Sequence, residues 1–181
     1  MIKVGVVGAT GYTGIELSRL LIGHPRVSLT NVYSKQHVGK PFHTLYPHLK
    51  NHTNLTLENF NIHQKFDLDV LFLALPHTSS HVFMATLIDN NPTLKIIDLS
   101  ADFRFKNAQA FETAYKEIHQ SPATLPAFTY GCPEIYGNDI KSSSYVANPG
   151  CYALSSLLGL YPLAKENCIK SAIIDAKSGV S

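Results

Sequence analysis

Apolar and polar positions change period several times along the chain, and each change marks an element. Ile2-Lys3-Val4-Gly5-Val6-Val7 is short, β-branched and mostly apolar, which predicts a buried strand. Gly8 to Gly14 reads as a turn. Ile15 to Ile22 then spaces its apolar residues as a helix does, and Gly23-His24-Pro25 stops it. Val27 to Tyr33 alternates like a second strand, and a βαβ unit of this kind builds parallel sheets. From Ser34 to Asn61 the pattern weakens into a stretch rich in His, Pro and Asn, expected to be loop with little regular structure. Asp69 to Leu75 is nearly all apolar, as a strand covered on both faces should be. Pro76-His77-Thr78-Ser79-Ser80 breaks it, with Ser79 or Ser80 placed to cap a helix through Asp89. The remaining pattern predicts a strand over Lys95–Leu99, a helix over Ala108–Ile118 and a three-proline loop from Pro122 to Tyr136. After these come a short strand at Tyr145–Ala147, a helix over Tyr152–Glu166 and a last strand at Ala172–Ala176.

Alternating strands and helices predict a doubly wound α/β domain whose ligand lies outside the carboxyl ends of the strands. The turns at Gly8, Ser34, Pro76 and Ser100 would converge there. Composition narrows the partners. A formal net charge of +2 with scattered Lys and Arg gives no footing for nucleic acid. No apolar stretch approaches the roughly 20 residues that span a bilayer. The first residues enter a strand at once, which leaves no signal peptide and implies a cytoplasmic protein. Three cysteines at irregular spacing make a poor disulfide framework, and without a C-x-x-C pair no metal site is expected.

Gly8, Gly11 and Gly14 follow a strand and open a helix. Their G-x-x-G-x-x-G spacing is a variant of the dinucleotide fingerprint, in which glycine permits a tight turn and lets backbone N–H groups approach a pyrophosphate at a helix N-terminus. Thr10 and Thr13 add hydroxyl donors. The second strand ends at Tyr33-Ser34-Lys35, where an NAD site usually carries an acidic residue for the ribose hydroxyls. A hydroxyl followed by a cation suits a 2′-phosphate instead, so NADP is the expected cofactor. Cys151 follows Asn148-Pro149-Gly150 and begins a helix, a position that favours a thiolate and offers backbone N–H groups to an oxyanion. Cys132, in a proline-rich loop, and Cys168, near a helix end, carry no such signal.

Eight collinear segments resemble N-acetyl-gamma-glutamyl-phosphate reductase: Gly8 to Gly14, His24-Pro25, Pro47-His48-Leu49, Phe72 to His77, Asp98 to Arg104, Tyr130-Gly131, Asn148 to Tyr152 and Asp175 to Ser181. The resemblance implies an oxidoreductase of arginine biosynthesis that reduces an acyl phosphate with NADPH, in a family allied to semialdehyde dehydrogenases. Cys151 matches the family nucleophile, which forms a thioester. Gly8, Thr10, Gly11, Tyr12, Thr13 and Gly14 match the cofactor loop, Ser34 the 2′-phosphate position, and Ser178 and Gly179 a turn near the nicotinamide. Pro76 lies at the crevice, Lys35 stands beside Ser34, Arg104 matches a phosphate-binding Arg, and Asn148 stands where it can orient the acyl oxygen. The implied organisation is a Rossmann-like NADP-binding domain over residues 1–148 and, over residues 149–181, the beginning of an α+β catalytic domain that is homo-oligomeric at full length. The family is about twice as long, so the chain is expected to be its amino-terminal half and inactive alone; the family's general acid/base His matches no residue here. The sequence departs from the family at Leu154, where a hydroxyl is usual, and at Cys132, where Leu is usual. Two other readings stand beside this one: a non-catalytic NADP-binding fragment, and a reductase of the one-carbon-longer N-acetyl-aminoadipyl phosphate of lysine biosynthesis.

Overall fold

The computed structural model describes residues 1–177 and Gly179. Seven strands form one sheet: β1 (Ile2–Val7), β2 (Val27–Tyr33), β3 (Leu57–Glu58), β4 (Val70–Leu73), β5 (Lys95–Asp98), β6 (Phe128–Tyr130) and β7 (Tyr145–Ala147). Their order is β3-β2-β1-β4-β5-β7-β6 and every pairing is parallel. The helices are α1 (Tyr12–Ile22), α2 (Phe42–Leu45), α3 (Met84–Asn90), α4 (Ala108–Tyr115), α5 (Pro133–Ser142) and α6 (Cys151–Lys165). The chain starts in the middle of the sheet, winds outward through β2 and β3, then crosses to β4 and runs the other way. That reversal beside β1 is the topological switch point where α/β proteins place ligands.

Strand alternation sends side chains to two cores. Val4, Val6 and Val32 pack with Leu21, Phe42, Leu49 and Leu57 on one face. Val7, Tyr33, Leu71, Leu73 and Ile96 pack with Met84, Leu87, Phe103 and Phe128 on the other. Val70 and Phe72 fall on the first face, so β4 is covered on both sides, as its apolar run required. Among the described residues no helix is long and apolar enough to cross a membrane.

Four expectations are corrected. The 34–61 stretch is not mere loop: it contains α2, a 3₁₀ turn at Pro47–Leu49 and the two-residue β3. Elements this short carry too few residues to show a period. No serine cap opens a continuous helix after β4. A 3₁₀ turn spans Ser80–Val82 and α3 begins at Met84, because the hydroxyl of Ser80 is drawn into a carboxylate network instead. Pro122 to Tyr136 holds a 3₁₀ turn, β6 and the start of α5. Pro133 sits at the first turn of α5, where a missing N–H does no harm, followed by Glu134 at the positive end. Finally, 172–176 is not a strand. No neighbouring strand ladders with it among the described residues, and Ile173 is 100% exposed. Helix α6 forms as expected but buries no residue, leaving Tyr152, Leu158, Tyr161 and Leu163 exposed.

Candidate dinucleotide and cysteine site

The glycine turn is built by close approach. Gly8 has φ +76°, and a Cβ there would lie 2.2 Å from the Ala74 carbonyl oxygen. A Cβ on Gly14 would lie 2.1 Å from the Gly8 carbonyl oxygen, so α1 can press on the turn only because residue 14 has no side chain. Gly11 differs: a Cβ there would meet nothing closer than 3.5 Å, and this glycine leaves open space at the start of α1. The turn is pinned from below by the N–H groups of Gly8 and Ala9 to the Tyr33 carbonyl, and from the side by the Tyr46 hydroxyl to the Thr10 carbonyl at 2.6 Å.

A cleft of about 600 Å³ opens over the carboxyl ends of β2, β1 and β4. Gly8, Thr10, Gly11, Ser34, Lys35 and Pro76 all line it. Thr10 Oγ1 and Ser34 Oγ are hydrogen-bonded at 3.1 Å, so the end of β2 is tied to the glycine turn. No carboxylate lines the cleft among the described residues. Tyr12 and Thr13 are exposed on the first turn of α1, outside that lining, and Gly14 is buried beneath the turn. Sequence reasoning missed Asn59 and Phe60 in the wall. They follow the two-residue β3, whose shortness hid their position. Phe60 packs edge-on against Tyr33, and burial pushes the Tyr33 phenol up to about 12.

The second half of the site follows β5 and β7 on the same edge of the sheet. Cys151 is the first residue of α6 and its thiol is exposed. The Asn148 N–H donates to the Asp98 carbonyl at 2.8 Å, which continues the β5–β7 ladder into the turn. Arg104 is half-buried behind this turn. Its Nε donates to the Asn148 carbonyl at 2.7 Å and its Nη2 to the Leu99 carbonyl at 2.9 Å. Its Nη1 faces Gly150, where a Cβ would lie 3.1 Å away. Thus Asn148, Gly150, Cys151 and Arg104 are brought together, and Arg104 makes no ion pair with Asp102. The Asn148 side chain donates to the neighbouring Pro149 carbonyl. Gly179 lies outside the cleft lining, and Ser178 falls outside the described residues.

A family model described as semialdehyde dehydrogenase, NAD binding domain, matches residues 3–143. The chain belongs to the semialdehyde dehydrogenase NAD-binding family. The glycine turn and the residues lining the cleft above it all lie within the span matched by this NAD-binding family model. The expected resemblance also holds among curated relatives of this family member. N-acetyl-gamma-glutamyl-phosphate reductase of Campylobacter jejuni strain 81116 is 48% identical over 99% of this chain and 52% of its own length. The protein of that name from Desulforudis audaxviator is 45% identical over 100% of this chain and 53% of its own. The chain therefore spans about half the length of the curated relatives it matches. Among solved structures, aspartate semialdehyde dehydrogenase with NADP from Candida albicans superposes with a TM-score of 0.65 at 14% identity, over 93% of this chain and 48% of that one. At that identity the likeness establishes the fold of this family member alone.

Proposed function

We propose that the chain is the cofactor-binding portion of an NADP-dependent N-acetyl-gamma-glutamyl-phosphate reductase of arginine biosynthesis, with Cys151 as its nucleophile. The observation that carries the reading is the common edge of the sheet. The dinucleotide cleft ends at Pro76 after β4, and the exposed Cys151 thiol follows β7, two strands away and roughly 10 Å across the sheet. A dinucleotide with its phosphates on the glycine turn can extend its nicotinamide toward that thiol. NADP is favoured over NAD by Ser34 and Lys35 in a cleft wall without a carboxylate.

In this reading the Cys151 sulfur attacks the acyl carbon and the carbon–oxygen bond to phosphate breaks, leaving a thioester and free phosphate. Nicotinamide, when bound, supplies the hydride that reduces the thioester carbonyl. The sulfur–carbon bond then breaks, releasing N-acetyl-glutamate semialdehyde and restoring the thiol. The N–H groups at the start of α6 face the developing oxyanion, and Arg104 Nη1, beside Gly150, offers the departing phosphate a donor. Residues 149–181 would open the catalytic domain, which covers the exposed side of α6 and carries subunit contacts and the general acid/base. With this reading go self-association at full length and a cytoplasmic setting.

Two measurements test it. The chain is titrated with NADP and NAD. NADP should bind more tightly, and Ser34→Asp should reverse the preference; equal affinity for both in the parent chain would remove the cofactor assignment. The full-length protein is then given NADPH and N-acetyl-gamma-glutamyl phosphate. Turnover that survives Cys151→Ser would refute the nucleophile.

A further inference from the structure

Behind the cysteine turn lies a buried polar cluster that the proposed chemistry does not use. Ser80, Asp98, Ser100 and Asp102 are all 0% exposed. Asp102 is a carboxylate nest: its Oδ1 accepts the Thr78 N–H at 2.7 Å, and its Oδ2 accepts the N–H groups of Ser80 and His81 at 2.9 and 3.0 Å. It holds Thr78 at φ +64°, a conformation a β-branched residue keeps only under constraint. Asp98 is poorer in donors. Its Oδ1 accepts the Ser100 N–H at 3.1 Å, and its Oδ2 meets only the hydroxyls of Ser80 and Ser100, at 2.9 and 2.7 Å.

The cluster is short of hydrogens. Ser80 Oγ also lies 2.9 Å from Ser100 Oγ and 3.0 Å from Asp102 Oδ2. Four oxygen–oxygen contacts therefore join these side chains, while the two hydroxyls supply two hydrogens. A hydrogen retained on Asp98 fills a third contact. Consistent with this, burial pushes the Asp98 carboxyl up to about 6, against the lowering hydrogen bonds of Ser100 and Ser80.

The cluster is tied to the cysteine turn by short links. The Asp98 side chain fixes Ser100, whose Oγ accepts the Asp102 N–H at 3.2 Å, and this closes the 98–102 turn. That turn sets the Leu99 carbonyl, which holds Arg104 Nη2, and Arg104 Nε in turn holds the Asn148 carbonyl. The Asp98 carbonyl holds Asn148 from the other side. We propose that Asp98 is a positioning residue for Cys151: its side-chain network with Ser80 and Ser100 fixes the 98–104 loop, which delivers Arg104 to the Asn148–Gly150 turn and so sets the start of α6.

The inference rests on Cys151 being the working thiol, but its test needs neither dinucleotide nor acyl phosphate. The rate of alkylation by iodoacetamide is measured at Cys151 by peptide mass spectrometry, with the exposed Cys168 in the same chain as reference. Asp98→Ala and Arg104→Lys should each slow Cys151 roughly two- to fivefold, the size of a helix-terminus effect on an anion, and leave Cys168 unchanged. Asp98→Asn, which keeps the shape and supplies amide hydrogens to Ser80 and Ser100, should restore the rate. The double variant Asp98→Ala/Arg104→Lys should be no slower than Arg104→Lys alone, since both act on one path. A parent-like Cys151 rate in Asp98→Ala, equal slowing at both cysteines, or multiplied losses in the double variant would each overturn the proposal. Should Asp98→Ala fail to fold, Ser100→Ala breaks the same link with both carboxyls in place, and slowing or its absence at Cys151 decides the matter in the same way. A failure here leaves reductase turnover untouched, and a failure of the reductase reading leaves these rates measurable.

Discussion

Replacing Asp98 by Asn should stabilise the protein at neutral pH and remove a pH dependence that the parent carries. In the parent, burial raises the Asp98 carboxyl from an ordinary 3.8 to about 6. Below about 3.8 it is protonated in both the folded and the unfolded chain. Between about 3.8 and about 6 the folded state keeps a proton that the unfolded state has lost, so stability falls as pH rises. Above about 6 the full penalty of a buried charge is present. At ~1.4 kcal/mol per pH unit that penalty is about 3 kcal/mol. An amide with nitrogen at the Oδ2 position can donate to Ser80 and Ser100, Ser100 can then donate to Ser80, and Ser80 to Asp102, so every contact has its hydrogen. The groups around Asp98 are Asp102, which raises its value, and beyond it His77, His81, His119 and Arg104, which hydrogen-bond the surrounding backbone. Those histidines are common to both chains, so the quantity to measure is the difference. Urea denaturation of parent and variant at about pH 4, 5, 6 and 7 should show the variant's advantage growing by roughly 2 kcal/mol across the series. A difference that is flat with pH, or that shrinks toward neutrality, would mean that burial does not raise the Asp98 carboxyl in the folded chain.

The glycine turn separates packing from binding. Gly14→Ala, with a Cβ 2.1 Å from the Gly8 carbonyl oxygen, should destabilise the fold by roughly 1–3 kcal/mol or more in denaturant melts. Gly11→Ala, with no atom nearer than 3.5 Å, should cost under about 1 kcal/mol and still weaken dinucleotide binding in a titration. Tyr46→Phe, which removes the hydroxyl bonded to Thr10, should lose roughly 0.5–1.5 kcal/mol of stability and raise the dinucleotide Kd. His119 is buried against Phe103 and Phe111, donating from Nε2 to the Asp102 carbonyl and accepting the Ser121 N–H at Nδ1. Burial holds its imidazole below the usual value, so it contributes stability above about 6.5 that is lost as pH falls, when the unfolded chain takes up the proton first. His119→Phe should be less stable than the parent at pH ~7.5 by roughly 1–3 kcal/mol, and the deficit should narrow by pH ~5.

What the sequence disclosed follows from which forces act locally. β1, α1, β2, β4 and β5 were legible because each is long enough to show a period and each must bury a face. The glycine turn was legible because its backbone demands glycine. Cys151 stood out through its turn, and Arg104 through family resemblance alone. The partners of Arg104 were not legible: nothing local says that a cation at 104 will spend two donors on the carbonyls of Leu99 and Asn148. The Ser80–Asp98–Ser100–Asp102 cluster was equally hidden, since Ser80 and Asp98 meet only when β4 and β5 lie side by side. Nor could residues 172–176 announce that they would find no neighbour; a strand pattern states a preference, and a ladder needs a second strand.

The position of β1 in the interior of an all-parallel sheet bears on how the molecule is made. β1 pairs with β2 and, across more than sixty residues of chain, with β4; β7 joins through β5 only at residue 145. At roughly 5–20 residues per second, about 7–30 s elapse between the emergence of β1 and that of β7, three places away in the same sheet. During that interval an apolar ribbon has an unfilled side, and parallel pairings of this kind form slowly. Until its partner strands emerge, the apolar surface they will cover stays open, and that exposure makes the nascent chain prone to aggregate.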